Sequence, residues 1–138
     1  MRSIRNTITT LVQQGHIQKQ HMINYWSNKH QTHIAPEDII RKKTKGTIYN
    51  IRYFVDTKNI TLIVSTSSPE NIFGDVALAV HPDDRRYKKL IGHKVIIPII
   101  NKAIPIIGEA TVDITKNNGV MRICPCHDIR SLEIAKKH

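Results

Sequence analysis

Two short stretches of this 138-residue chain hold most of the side chains that could do chemistry. The first is Thr66-Ser67-Ser68-Pro69-Glu70-Asn71, a run of hydroxyls followed by a carboxylate. Hydroxyls at the mouth of a sheet can floor a ligand site. The same residues also make a solvated turn between strands, and both readings stay open. The second stretch, Arg122-Ile123-Cys124-Pro125-Cys126-His127-Asp128, offers a guanidinium, two thiols, an imidazole and a carboxylate. As metal ligands Cys124, Cys126 and His127 have the wrong spacing, and no fourth ligand is evident. On a strand the two thiols would face the same way, as a buried pair would. Asp128 is a good N-cap for a helix over 129–137. His16, His21 and His30 have no metal-ligand spacing and read as surface side chains.

The elements that must carry these residues are short. A strand is expected over 60–65, then the polar loop 66–71, then an apolar run over 76–80. A helix should follow from Pro82 to Gly92. Pro82 suits a first helical position, Asp83 and Asp84 charge the first turn, Lys88 and Lys89 the last, and Gly92 can stop it. Upstream, 47–55 alternates, with Ile48, Ile51, Tyr53 and Val55 against Asn50 and Arg52. A turn over 56–59 would make 47–65 a hairpin. Downstream, 94–100 and 102–107 form a second apolar pair around Asn101. Pro98 and Pro105 cannot donate to a ladder, so each should mark an edge or a bulge. Asn117-Asn118-Gly119 reads as a turn, 120–123 as a strand, and 129–137 as a closing helix burying Leu132 and Ile134. At the amino end, 3–14 spaces Ile4, Ile8, Leu11 and Val12 as one helix face, expected to cover an edge of the core. Tyr25-Trp26 is expected to anchor packing, and 35–40 to be a connector.

A chain of this length makes at most one domain and can bury a core. With 40% hydrophobic and 23% charged residues it reads as neither disordered nor membrane-bound. No apolar run approaches the roughly 20 residues that span a bilayer. Residues 1–14 lack the apolar core of a signal peptide. The two cysteines lie close together with no others to pair with, which argues for a reducing, cytoplasmic setting. The net charge of +10 favours a polyanionic partner. The excess is uneven: residues 1–52 carry nine Lys/Arg against two Asp/Glu. Its densest cluster is Arg41-Lys42-Lys43-Thr44-Lys45, which reads as a solvated face or a phosphate contact. At 5% aromatics, a base-stacking platform is not expected.

The run Gly74-Asp75-Val76-Ala77-Leu78-Ala79-Val80-His81-Pro82-Asp83-Asp84-Arg85-Arg86-Tyr87 resembles the editing domain of valyl-tRNA synthetase. Ile104-Pro105-Ile106-Ile107 and Pro125-Cys126-His127-Asp128 match the same family in order and separation. Leu11-Val12-Gln13-Gln14-Gly15-His16-Ile17 and Asn24-Tyr25-Trp26 resemble the segment leading into that domain, so the likeness covers nearly the whole chain. It implies an α/β (α+β) fold: a mixed, barrel-like sheet with short flanking helices. The domains implied are a basic N-terminal helix and connector over 1–46 and an editing-like domain over 47–138. The family's domain runs on beyond the position of His138, so a C-terminally truncated sheet is expected. Such a sheet should expose an edge and some apolar surface, at 120–123 and at the hairpin near Pro98, and favour self-association or a partner chain.

The resemblance also implies a reaction. An apolar pocket cannot strongly reject an isostere that merely adds a hydroxyl, a limit for which the valyl enzyme is itself the usual example. The editing site therefore hydrolyses threonine from the tRNA for valine. Asp128 matches the aspartate that pairs with the substrate ammonium, as a carboxylate can through a charge-assisted hydrogen bond. Thr66 and Ser67 match two threonines of the family's loop, and Glu70 and Asp75 also match. Asp75 could equally form a turn, and His127 matches in a structural role. Arg122 stands where relatives have lysine, Cys124 and Asn71 where they have threonine, and Ser68 where they have arginine. Ser131 replaces a second aspartate that helps recognise the threonine hydroxyl. Zinc-ligand cysteines that relatives carry near 25–32 are absent, and no metal or cofactor is implied. Neither adenylate-forming signature of the class I synthetases occurs, so aminoacylation by this chain alone is not implied. The expected partners are the aminoacylated end of tRNA and a synthetase chain, with Arg41, Lys42, Lys43 and Lys45 as phosphate contacts. The alternative is a non-catalytic relative that binds tRNA or the synthetase.

Overall fold

Ile4, Ile8, Leu11 and Val12 recur at helical spacing, and in the computed structural model they lie on α1 (Arg2–Gln13). The structure describes residues 2–56 and 59–138, in two units, Met1–Ile39 and Ile40–His138. In the first unit α1 is followed by a small antiparallel hairpin of β1 (Tyr25–Ser27) and β2 (Thr32–Ile34). Ile4, Ile8 and Val12 are exposed and Leu11 half-buried. One expectation is corrected here. Tyr25 and Trp26 are exposed as well, because a two-stranded ribbon has no second layer for them to enter.

The second unit holds β3 (Tyr49–Val55), β4 (Thr61–Thr66), β5 (Ala77–Val80), β6 (Lys94–Ile96), β7 (Ala103–Gly108), β8 (Val120–Ile123) and α2 (Ile129–Lys137). Six strands form one mixed, barrel-like sheet in the order β4-β3-β6-β7-β5-β8. Only β5 and β7 run parallel, paired Leu78 with Ile106 and Val80 with Gly108. The hairpin of β3 and β4 pairs as its alternation requires, Tyr53 opposite Leu62 and Ile51 opposite Val64. Its turn, expected over 56–59, lies partly outside the described residues.

Period-2 alternation sorts the side chains to two faces. Tyr53, Val55, Leu62, Val64, Leu78, Val80, Val95, Ile97, Ile104, Ile106 and Val120 fill the inside of the sheet. Ala77, Ala79 and Ile123 point the other way, against Ile134 of α2. The small alanines of β5 leave room for that helix, so β5 is buried on both faces. Fully burying each Val, Leu or Ile contributes about 1.5–3 kcal/mol. On α2 the buried residues are Ser131 and Ile134; Leu132 is only half-buried, so the expected helix face is rotated.

The helix expected from Pro82 to Gly92 does not form; turns and one 3-10 turn at Lys88–Leu90 take its place. Asp84 is the reason. Its buried carboxylate accepts from the Arg86 backbone N–H at 3.0 Å and from Arg86 Nε and Nη2 at 3.0 and 2.7 Å. A side chain that satisfies its own backbone competes with helix formation. Arg86 Nη2 also donates to the Ile114 carbonyl at 2.9 Å, tying this turn to the loop before β8. Gly119 closes that loop at a φ of +76°, where a Cβ would come within 2.5 Å of Arg86 Nη2.

The prolines behave differently from expectation. The strand after Gly92 ends at Ile96, since Pro98 sits in a turn with Ile99 at a φ of +74°. Pro105 lies inside β7, an interior strand of the sheet. The N–H of its neighbour Ile106 donates to the His93 carbonyl at 2.8 Å, so the proline nitrogen is not needed by β6. Pairing with β5 begins only at Ile106, one residue later. Pro105 thus costs the sheet no hydrogen bond.

Glu109, just after β7, grips the end of α2. Its buried carboxylate accepts from Lys137 Nζ at 3.0 Å and from the Thr111 N–H at 3.2 Å, and lies 3.3 Å from His138 Nε2. The Lys137 hydrogen bond leads in lowering its pKa from 4.5 to about 2. A lowered folded-state pKa makes this contribution present above pH 4.5 and lost as pH falls toward 2. Glu109→Gln is expected to flatten the fall in melting temperature between pH 6 and 3. Parallel melting curves for the two proteins would show that Glu109 carries none of the acid sensitivity.

Candidate functional site

The sheet has two edges, β4 and β8, and they face each other across a gap. Asn118 Nδ2 bridges it with a long 3.5 Å bond to the Ile63 carbonyl, and Arg122 Nη1 with another to the Ser68 carbonyl. Between them lies a cleft of about 240 Å³. Thr66 enters it from the end of β4, Arg122 from β8, and Cys124, His127 and Asp128 from the link to α2. Residues 54 and more positions apart in sequence thus share one wall because the barrel nearly closes.

Asp128 holds two positions at once. Its Oδ2 accepts from the Ser131 N–H at 2.9 Å and from Ser131 Oγ at 2.8 Å, an N-cap that starts α2. The residue is exposed at the cleft, and Oδ1 has no partner among the described residues. Ser131 lines the cleft but is buried, with its hydroxyl turned to Asp128. Cys124 is buried, its Sγ 3.3 Å from His127 Nδ1 and 3.5 Å from the Asn71 carbonyl. Burial, and then the charge of Asp75, push the Cys124 thiol pKa up.

Asp75 does not line the cleft. It is buried behind it, with Oδ2 accepting from Tyr53 Oη at 2.5 Å and Oδ1 lying 3.2 Å from Arg122 Nε. That second contact pairs charges without well-aligned hydrogen-bond geometry. Burial raises the Asp75 pKa, opposed by the Tyr53 hydroxyl and by Arg122. Burial and Asp75 together push the Tyr53 hydroxyl up as well. What Asp75 does for the cleft is hold the Arg122 side chain, itself 9% exposed, at its wall.

Two residues of the hydroxyl loop fall elsewhere. Ser67 is exposed and lines an adjoining hollow of about 320 Å³ with Ile48, Ser65, Thr66 and Asn117. Glu70 is exposed on the 3-10 segment Pro69–Gly74. Arg41, Lys42, Lys43 and Lys45 are all exposed in an irregular stretch of the second unit. Sequence reasoning assigned no site role to Asn117, Tyr53 or Gly74. Asn117 read only as a turn residue, and Tyr53 only as an inward strand position. No spacing in the sequence ties Tyr53 to Asp75, 22 residues on. Among the described residues there is no group of three or more His, Cys, Asp or Glu placed to hold a metal. Nor is any described helix long and apolar enough to cross a membrane.

By sequence the chain is related to the aminoacyl-tRNA synthetases. The synthetase is valine–tRNA ligase: the chain is homologous, over nearly its whole length, to a segment of that enzyme. It is 37% identical over 137 residues to valine–tRNA ligase of Streptococcus pyogenes serotype M28, covering 99% of this chain and 16% of that protein. Against valine–tRNA ligase of Blochmanniella pennsylvanica it is 47% identical over 118 residues, 82% of this chain and 12% of that one. The Streptococcus thermophilus enzyme matches at 36% over 137 residues. The chain thus spans about a sixth of the length of the two streptococcal relatives and about an eighth of the Blochmanniella one. No protein-family model matches it.

Proposed function

We propose that the chain is an editing-type hydrolase that removes threonine from mischarged tRNA for valine. The observation that carries this reading is the β4–β8 cleft, where Thr66, Arg122, Cys124, His127 and the exposed carboxylate of Asp128 converge. Asp128 Oδ1 takes the α-ammonium of the esterified amino acid, a charge-assisted bond stronger than a neutral one. Thr66, with Ser67 in the adjoining hollow, contacts the ribose and terminal adenosine. Translation quality control would set the protein in the cytoplasm. The test is deacylation of threonyl-tRNA for valine, run beside the valyl form of the same tRNA. Faster loss of threonine than of valine supports the reading. Loss of neither, with tRNA still bound, would establish a non-catalytic binder instead.

The partner is the tRNA backbone, met by the exposed cations Arg41, Lys42, Lys43 and Lys45. Changing Lys42, Lys43 and Lys45 to alanine is expected to weaken tRNA binding. The dependence of log affinity on log salt should flatten by roughly one unit per lost phosphate contact. Filter binding across a salt series reads both quantities. An unaltered slope would move the phosphate contacts to another surface.

A further inference from the structure

Cys124 and His127 pair a thiol with an imidazole in the wall of the cleft, while the Ser131 hydroxyl there is held in the Asp128 cap. Their Sγ and Nδ1 atoms lie 3.3 Å apart, within hydrogen-bond reach for sulfur. The pair is seated against Gly74, where a Cβ would come within 2.7 Å of Sγ and 3.5 Å of Nδ1. Arg122, more than nine-tenths buried, lines the same cleft, and its Nη1 makes only the long contact to the Ser68 carbonyl. A positive group with spare donors beside a nucleophile is what a developing oxyanion needs.

We propose that Cys124 is a covalent nucleophile with His127 as its base, so that acyl groups pass through a thioester on Cys124. This deepens the deacylase reading and rests on it for the natural substrate. The buried thiol is neutral at rest, so its activation requires a base at the moment of attack, and His127 is the group in reach. His127 Nδ1 takes the thiol proton as Sγ bonds to the ester carbonyl carbon. The carbon–oxygen bond to the ribose breaks, and His127 passes the proton to the ribose oxygen. Water then adds to the thioester carbonyl, giving its proton to His127. The carbon–sulfur bond breaks, Sγ recovers the proton, and the free amino acid leaves. The sum is ester plus water to acid plus alcohol, with no redox change.

The experiment uses the full chain and threonine p-nitrophenyl ester as probe, quenched in acid and read by peptide mass. An acyl adduct on Cys124, removed by neutral hydroxylamine, is expected. It should be lost in Cys124→Ala and Cys124→Ser and kept in Cys126→Ala. In His127→Gln the acylation rate at neutral pH should fall at least about tenfold. In parallel, single-turnover deacylation of threonyl-tRNA should fall about a hundredfold or more in Cys124→Ser, with thermal melts confirming the fold. No adduct on Cys124, or native deacylation by Cys124→Ser, overturns the covalent route; the second result leaves the deacylase reading standing with direct water attack. An adduct from the aryl ester without threonyl-tRNA deacylation upholds the nucleophile and overturns the substrate reading.

Discussion

Asp75→Ala is expected to lower the unfolding free energy by about 3–5 kcal/mol at neutral pH, the cost of stripping one partner from a buried ion pair. The Asp75 side chain is fully buried and the Arg122 side chain only 9% exposed, at the cleft wall, so Arg122 recovers little water when Asp75 is removed. The alanine also orphans the Tyr53 hydroxyl, which now donates to Asp75 at 2.5 Å. Asp75→Asn separates the two effects, because an amide oxygen can still accept from Tyr53 while the charge on Arg122 goes unmatched. Its loss should fall short of the alanine value by about the net worth of one hydrogen bond, roughly 1 kcal/mol. Urea titration of the three proteins measures this directly. A loss below about 1 kcal/mol in the alanine variant would mean that Arg122 finds another partner or solvent, and that Asp75 does not set its position at the cleft.

The second large effect is on chemistry and leaves stability alone. Asp128→Asn should lower threonyl-tRNA deacylation roughly ten- to a hundredfold, since a hydrogen bond to a charged group contributes about 1.5–3 kcal/mol. Asparagine caps helices about as well as aspartate. Its amide oxygen can accept the Ser131 N–H and hydroxyl now held by Oδ2. The melting temperature should therefore stay within a degree or two of the natural protein's. Equal deacylation by both proteins would remove Asp128 from ammonium binding and leave it as a cap. A drop in activity together with a large drop in melting temperature would show that the charge of Asp128 is needed for the cap itself.

Local pattern determined most of the elements by itself. The alternation around Tyr53 and Leu62, the Asn-Asn-Gly turn, the strand Val120–Ile123 and the helix behind Asp128 follow from period, turn chemistry and capping, all of which act within a few residues. The errors arise where a distant partner outweighs local preference. The charges that should have opened a helix at Asp84 instead bind Arg86, which in turn holds the Ile114 carbonyl across the fold. Pro105 escapes to the sheet interior because its nitrogen meets neither neighbour's ladder, which depends on strand register and not on the residue. The resemblance named Thr66, Ser67, Glu70, Asp75, Arg122, Cys124, His127 and Asp128 together. Closure of the sheet, which brings β4 to face β8, gathers Thr66, Arg122, Cys124, His127 and Asp128 into one cleft and leaves Ser67, Glu70 and Asp75 outside it. That same closure makes Asp75 a buried support behind Arg122 with Tyr53 as its donor. Sequence spacing carries no trace of this, because the cost of burying an unpaired charge is set by three-dimensional surroundings.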